Sequence, residues 1–198
     1  MEQAEDILRF WVDEIGPEGW YAVDDAVDAE IRKRFGGLWQ DVHDDALRGW
    51  RNTPEGVLAY LVLTDQFPRN MFRGDGRSFA TDARARQMAK WAIENRFDRR
   101  IDGPKRQFFY LPLMHSEVLA DQDRAVRCFM TRMSQGNNLE HARAHRQVIR
   151  DFSRFPYRNE ALARVSSEKE KAYLAAGGYG WTYQRIEKGE AAGWGSSG

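Results

Sequence analysis

Helical periodicity runs through almost the whole of this 198-residue chain, whereas the alternating pattern of β-strands is nearly absent. Apolar residues recur every four positions at Val23, Val27, Ile31 and Phe35, which places them on one face of a helix. The turn signal at Gly36-Gly37 predicts the end of that helix. We therefore predict an all-α fold in which short helices pair as antiparallel hairpins in an irregular bundle.

The overall composition favours a single soluble domain. Lysine and arginine together number 30, as do aspartate and glutamate, so the chain lacks the basic excess of a typical nucleic-acid-binding protein. No apolar run approaches the 18 residues of a membrane span. We therefore predict neither a nucleic-acid nor a membrane partner.

The single cysteine, Cys128, excludes an internal disulfide, and the acidic N-terminus is unlike a signal peptide. Both features predict a cytoplasmic location. We expect one helical domain over residues 1–180 and a flexible tail over 181–198, because the last residues are rich in glycine and serine.

Two similar segments each contain Phe-Pro followed closely by Arg and Asn. They are Asp65-Gln66-Phe67-Pro68-Arg69-Asn70 and Ser153-Arg154-Phe155-Pro156-Tyr157-Arg158-Asn159. Because proline cannot continue the helical hydrogen-bond ladder, each Phe-Pro pair predicts a helix break. The phenylalanine would then be held in a core, and the arginine and asparagine would point beyond the helix end.

These segments belong to a longer set of motifs that resembles a known bacterial family, catalogued as domain of unknown function 924. The resemblance covers about residues 5–178, and it implies a helical fold similar to tetratricopeptide-repeat superhelices but no activity. The other motifs that carry it are Phe10-Trp11, Thr53-Pro54-x-Gly56, Phe79-Ala80-Thr81-Asp82, Leu111-Pro112-Leu113-Met114-His115-Ser116-Glu117, Asp121-Gln122 and His145-Arg146.

Four residues are candidates for proton transfer. Asp65 shares a helix face with apolar residues, where a carboxylate must be paired, hydrogen-bonded or protonated. It is either one half of an ion pair that fixes the turn or an acid–base group. His115 and Glu117 form either an acid–base pair or a histidine bonded to a backbone carbonyl beside a capping glutamate. His145 is the fourth candidate.

The spacing of His141 and His145 would let two imidazoles share a metal ion. The sequence places no third ligand, however, and His145 lies on the apolar face of its helix, where a core histidine is common. We therefore predict no metal and no other cofactor.

Arginines near the Phe-Pro segments are the strongest indication of a binding site. A guanidinium group can bind a carboxylate or phosphate at two points, although it can also tie the end of a helix. The predicted ligand-binding residues are Gln66, Arg69, Asn70, Arg146, Arg154, Arg158 and Asn159.

Two functions remain open from the sequence. In the first, these residues form one pocket for a small anionic metabolite, with a hydrolytic or lyase-type step. In the second, the chain is a helical scaffold that binds a protein or peptide partner without catalysis. A closed pocket would favour the first function, and an open groove would favour the second. A third possibility is that these polar residues form a purely structural network and that the working surface lies elsewhere, such as the exposed aromatic tail.

Overall fold

The computed structural model describes residues 2–42, 47–134 and 136–195. Within these ranges every regular element is helical, which confirms the predicted all-α class. The α-helices are α1 (Glu2–Leu8), α2 (Asp25–Asp41), α3 (Pro54–Leu61), α4 (Phe67–Met71), α5 (Asp82–Glu94), α6 (Leu119–Arg132), α7 (Asn138–Phe152), α8 (Glu168–Ala175) and α9 (Gly178–Glu187), with single turns at Gly16–Gly19 and Leu111–Met114. π-Helical segments span Arg9–Ile15 and Val62–Gln66, and 3₁₀ segments span Arg48–Asn52, Gly76–Phe79, Phe97–Arg100, Pro104–Phe109 and Pro156–Arg158.

The chain divides into two compact units, Met1–Pro112 and Leu113–Gly198, so a boundary lies inside the stretch predicted as one domain. In the described part of the chain, no helix has the length and apolar character needed to cross a membrane.

Helix starts follow the capping signals of the sequence. Asp24 accepts hydrogen bonds from the backbone N–H groups of Ala26 and Val27, and Thr53 accepts from Gly56. Ser167 and Glu170 form a reciprocal capping box at the start of α8. Local side-chain chemistry therefore fixes where α2, α3 and α8 begin.

The predicted end of α2 at Gly36-Gly37 is wrong, because the helix continues to Asp41. Leu38 and Trp39 lie beyond the glycines and are buried. Each glycine costs a helix roughly 1 kcal/mol relative to alanine. Burial of a leucine side chain alone contributes roughly 1.5–3 kcal/mol, so tertiary packing outweighs the local preference.

The first unit has an aromatic core. Phe67, the phenylalanine of the first Phe-Pro pair, stacks on Phe35 at 4.9 Å and meets Trp11 edge to face at 5.5 Å. All residues of α3 and of the π-helical segment Val62–Gln66 are buried, apart from Glu55. The sequence agrees with this burial, because it has no charged residue from Gly56 to Thr64. The core therefore holds Phe67 as expected.

The predicted helix break at Pro68 does not occur. The helical path widens into the π-helical segment Val62–Gln66 and continues as α4, with Pro68 in the first turn of that helix. An α-helix would use the backbone N–H of residue 68 to satisfy the Thr64 carbonyl, and proline has none. The hydroxyl of Thr81 donates to this carbonyl instead, at 2.6 Å.

The second unit packs α6 against α7 and α7 against α9. Its core contains Val148, Ile149, Phe155 and Tyr173. α7 ends at Phe152, and Ser153 adopts a left-handed conformation, so a helix does end before the second Phe-Pro pair.

The segment predicted as a flexible tail is folded over its described part. α9 runs to Glu187, and Trp194 packs against Tyr173 and Trp181 at centroid distances of 5.3 and 5.0 Å. The backbone N–H of Trp194 also donates to Asp151 at 2.9 Å. The tryptophans anchor a segment whose glycine-rich composition predicts disorder.

Candidate functional site

Asp65 and Arg69 occupy structural positions in the first unit. Asp65 is buried, accepts a hydrogen bond from the Gln66 amide, and lies 4.0 Å from the Arg69 guanidinium. Arg69 donates to Asp82 at 2.7 Å and to the Ser78 carbonyl. These bonds link α4 to the start of α5, which is the helix-tying role that the sequence left open.

Asn70 also binds another residue of its own unit. Its amide donates to Asp28 at 2.8 Å, and the same carboxylate accepts two hydrogen bonds from Arg73. Asn70, Asp28 and Arg73 line a polar cleft of about 400 Å³ in the first unit. The cleft carries as many aspartates as arginines, so it has no clear preference for an anion.

Glu117 lies in the second unit and is paired. It accepts from the backbone N–H of Phe155 at 2.9 Å, and Arg164 donates to both of its oxygens at 2.9 Å. Glu117 therefore holds the second Phe-Pro turn as a capping glutamate would.

Arg154 and Asn159 also belong to the second Phe-Pro turn. Arg154 binds both oxygens of the buried Glu170, at 2.6 and 2.7 Å, and this pairing lowers the pKa of Glu170 to about 2. The Asn159 amide donates to Ser166 at 3.0 Å. Arg146 donates to Asp123 at 3.2 Å. Each of these predicted ligand-binding groups already contacts a side chain of its own unit.

Two predicted residues contact the ring of Phe155, and a third lies beside one of them. The Arg158 side chain is only 6% exposed, and its guanidinium carbon lies 4.5 Å from the ring centroid. His145 meets the same ring edge to face at 5.5 Å, and His115 lies 6.2 Å from His145 between ring centroids. We call Arg158, His115, His145 and Phe155 the Phe155 cluster.

His145 is held in one tautomer. Its Nδ1 lies 2.8 Å from the carbonyl oxygen of His141, and a carbonyl can only accept. Nδ1 therefore carries the proton, and Nε2 of the neutral ring is an acceptor. Part of the side chain reaches solvent, yet surrounding protein lowers the His145 pKa to about 3. The causes are burial first, then the nearby charge of His115 and, more weakly, that of Arg158.

His141 and His145 each have one ring nitrogen bonded within the second unit. Nδ1 of His141 is bonded to the Tyr179 hydroxyl at 2.6 Å, and Nδ1 of His145 is bonded to backbone. Across the described ranges, no group of three or more histidines, cysteines, aspartates or glutamates is placed to hold a metal ion. Burial lowers the pKa of His141 as well.

Sequence reasoning missed the tyrosines around the histidines. Tyr179 lies 4.6 Å from His145, Tyr183 stacks on His141 at 4.2 Å, and Tyr157 stacks on Phe155 at 5.2 Å. Burial raises the pKa of Tyr179, so its hydroxyl stays protonated. The four-residue spacing of Tyr179 and Tyr183 was the available signal, because it places both rings on one helix face.

Comparison with known proteins agrees with the motifs. Residues 7–178 match a family described as bacterial protein of unknown function, DUF924. The chain belongs to this family. A solved structure, described as a protein of unknown function, ATU0120, from Agrobacterium tumefaciens, is 38% identical to this chain. The similarity covers 88% of this chain and 98% of that one, with a TM-score of 0.84. No curated protein matches the chain.

All members of the Phe155 cluster lie inside the part of the chain that matches DUF924. Tyr179 and Tyr183 lie just beyond it, on α9. The histidines therefore come from the family region, and part of their surroundings comes from the segment that follows it.

Proposed function

We propose that this DUF924 protein binds a small anionic ligand at the Phe155 cluster. The observation that carries the proposal is the buried guanidinium group of Arg158, set against an aromatic ring beside a neutral histidine. A buried arginine in partly apolar surroundings attracts a carboxylate or phosphate more strongly than an exposed one, because water screens the charge less.

The neighbouring residues support this assignment of charge. The carboxylate of the His115 motif, Glu117, is paired with Arg164. Arg154 is likewise paired with Glu170, so it contributes little net charge to a ligand. We assign Arg158 to the ligand because its guanidinium group is buried against the ring of Phe155, which His145 also contacts.

Among the acid–base candidates of the second unit, we assign proton transfer to His115. Glu117 is fixed as an ion pair, and His145 stays neutral at physiological pH because its pKa is about 3. A hydrolytic or lyase-type step at the cluster would therefore use His115 for proton transfer. The His115→Asn variant should lose any turnover found and keep ligand binding.

The binding proposal is tested by thermal unfolding in the presence of inorganic phosphate, sulfate and small carboxylates. A ligand at 100 times its dissociation constant stabilises the folded state by about 2.7 kcal/mol. We expect a shift of this size for at least one anion in the wild-type protein. Arg158→Met, which keeps an unbranched apolar side chain over Phe155, should lose the shift.

Arg185→Met is the matched control, because Arg185 also lies over an aromatic ring of the second unit, 5.0 Å from the centroid of Trp181. It should keep the full shift. Arg158→Lys preserves the charge but not the two-point geometry, and we expect weakened binding in a folded protein. Equal shifts in both methionine variants, or no shift with any anion, would contradict the proposal and favour the scaffold alternative.

A further inference from the structure

We propose that a cleft in the first unit binds a small planar aromatic molecule that carries a carboxylate or phosphate group. The cleft has a volume of about 560 Å³, which lies within the roughly 300–1,000 Å³ typical of small-molecule sites. We call it the Trp91 cleft. Its lining residues lie between Arg51 and Glu94, within the first unit, so this site is separate from the Phe155 cluster of the second unit.

Three elements form the Trp91 cleft. Helix α5 supplies one wall, since Arg84 and Trp91 lie about two helical turns apart on one face of that helix. Helix α3, which packs against α5, contributes Tyr60, and the 3₁₀ segment Arg48–Asn52 contributes Arg51. The cleft is therefore built on helical elements of the first unit that pack together.

Trp91 gives the cleft an aromatic surface. Its side chain is 37% exposed, although tryptophan is among the largest apolar side chains. Phe97 supports the indole at 5.0 Å between ring centroids, and the buried side chains of Tyr60 and Met88 add to the apolar lining. An aromatic ring that stacks on the indole would cover apolar surface that is otherwise in contact with water.

The charge of the lining favours an anion. Among the described lining residues, Arg51, Arg84 and Lys90 are cationic and Glu94 alone is anionic. Glu94 can neutralise one of the three cations, which leaves the lining with a formal excess of two positive charges. A carboxylate or phosphate is attracted by this excess. A ligand that combines such a group with an aromatic ring therefore matches both features of the cleft.

Other classes of ligand match only one of these features. A cationic aromatic molecule would be repelled by the positive excess of the lining. A saturated chain would remove water from the charged side chains without offering them a polar partner, which is unfavourable.

The test is a calorimetric titration of two series of compounds into the full chain. The carboxylate series is 2-naphthoate, decahydro-2-naphthoate and 2-naphthylmethanol, and the phosphate series is adenosine monophosphate, ribose 5-phosphate and adenosine. In each series the second compound lacks the aromatic ring and the third lacks the charge. The first should bind about 2- to 12-fold more tightly than the second, because it gains an aromatic contact. It should bind about 2- to 5-fold more tightly than the third. The series that shows these differences identifies the anionic group as carboxylate or phosphate.

Variants of Trp91 test the aromatic contact. Trp91→Leu replaces the indole by an apolar side chain at a partly exposed position, so it should bind the aromatic and the saturated anion equally. Trp91→Phe keeps an aromatic ring and should keep the preference. Equal binding of the two anions by the wild-type protein would overturn the inference, and so would a preference that survives in Trp91→Leu.

Arginine variants test the charge. Arg51→Gln should weaken binding of the aromatic anion about 2- to 5-fold. Arg99→Gln is the matched control, because Arg99 is an exposed arginine of the same unit that does not line the cleft, and it should bind like the wild-type protein. Equal affinities of these two variants, or no binding of any compound, would overturn the inference. Arg158→Met should leave all these titrations unchanged, so the outcome is independent of the proposed function.

Discussion

Replacement of Thr81 by valine tests how the first Phe-Pro segment is stabilised. The Thr81 hydroxyl donates to the Thr64 carbonyl at 2.6 Å and accepts from the Trp39 indole at 3.2 Å. Thr81 is fully buried, and valine has nearly the same shape, so the substitution removes both hydrogen bonds with little change in packing. A buried polar group left without its hydrogen-bond partner costs about 1–3 kcal/mol of folding free energy. The bond to the Trp39 indole is the longer of the two and should lie at the lower end of this range. For both bonds together we expect the free energy of unfolding to fall by about 2–4 kcal/mol.

The assay is urea unfolding followed by circular dichroism and tryptophan fluorescence, with the m-value compared between variants. Thr131→Val is the matched control. Its hydroxyl also donates to a backbone carbonyl, that of Arg127 at 2.7 Å, but the site is exposed and water can replace the bond. For Thr131→Val we expect the free energy of unfolding to fall by less than about 0.5 kcal/mol. Equal losses in the two variants would refute the idea that Thr81 replaces the proline N–H.

Two further predictions concern pH. The pKa of Glu170 is lowered to about 2, so its stabilising effect is complete above the unfolded value of 4.5 and is lost as the pH falls through 2. The stability advantage of the wild-type protein over Glu170→Gln should therefore shrink between about pH 5 and pH 2 in urea titrations, and a constant difference would contradict the pairing. For His145 the folded pKa is about 3 and the unfolded value 6.5, so the unfolded chain binds more protons between them. His145→Phe should consequently lose less stability than the wild-type protein when the pH falls from 7 to 4, and parallel pH profiles would argue against an imidazole that stays neutral in the folded protein.

Local signals account for the fold class and for the starts of α2, α3 and α8. The caps at Asp24, Thr53 and Ser167 depend only on neighbouring residues, so sequence alone identifies them. The end of α2 depends on Leu38 and Trp39 finding a core, which is a tertiary effect. The folded C-terminal segment has the same cause, because Trp194 gains its contacts only once Tyr173 and Trp181 are in place.

The sequence predicted which residue types lie in the candidate site, but not which partner each residue binds. Arg154 and Arg158 follow the same rules in the sequence, yet one is paired with Glu170 and the other lies over Phe155. Glu170 is 16 residues beyond Arg154, across a turn whose path periodicity does not determine. Which of the two arginines pairs with a carboxylate and which lies over an aromatic ring could therefore be identified only after the fold was known.

The two Phe-Pro segments show why so many polar residues near a proline are structural. Pro68 removes a backbone donor, and the Thr64 carbonyl that loses its partner is bonded by Thr81. At the second segment the chain leaves α7 through Ser153, and the freed N–H of Phe155 is bonded by Glu117. A buried turn needs such partners whether or not it binds anything. The remaining candidates of the second unit lie next to one another, since Arg158 and His145 both contact the ring of Phe155 and His115 lies beside His145.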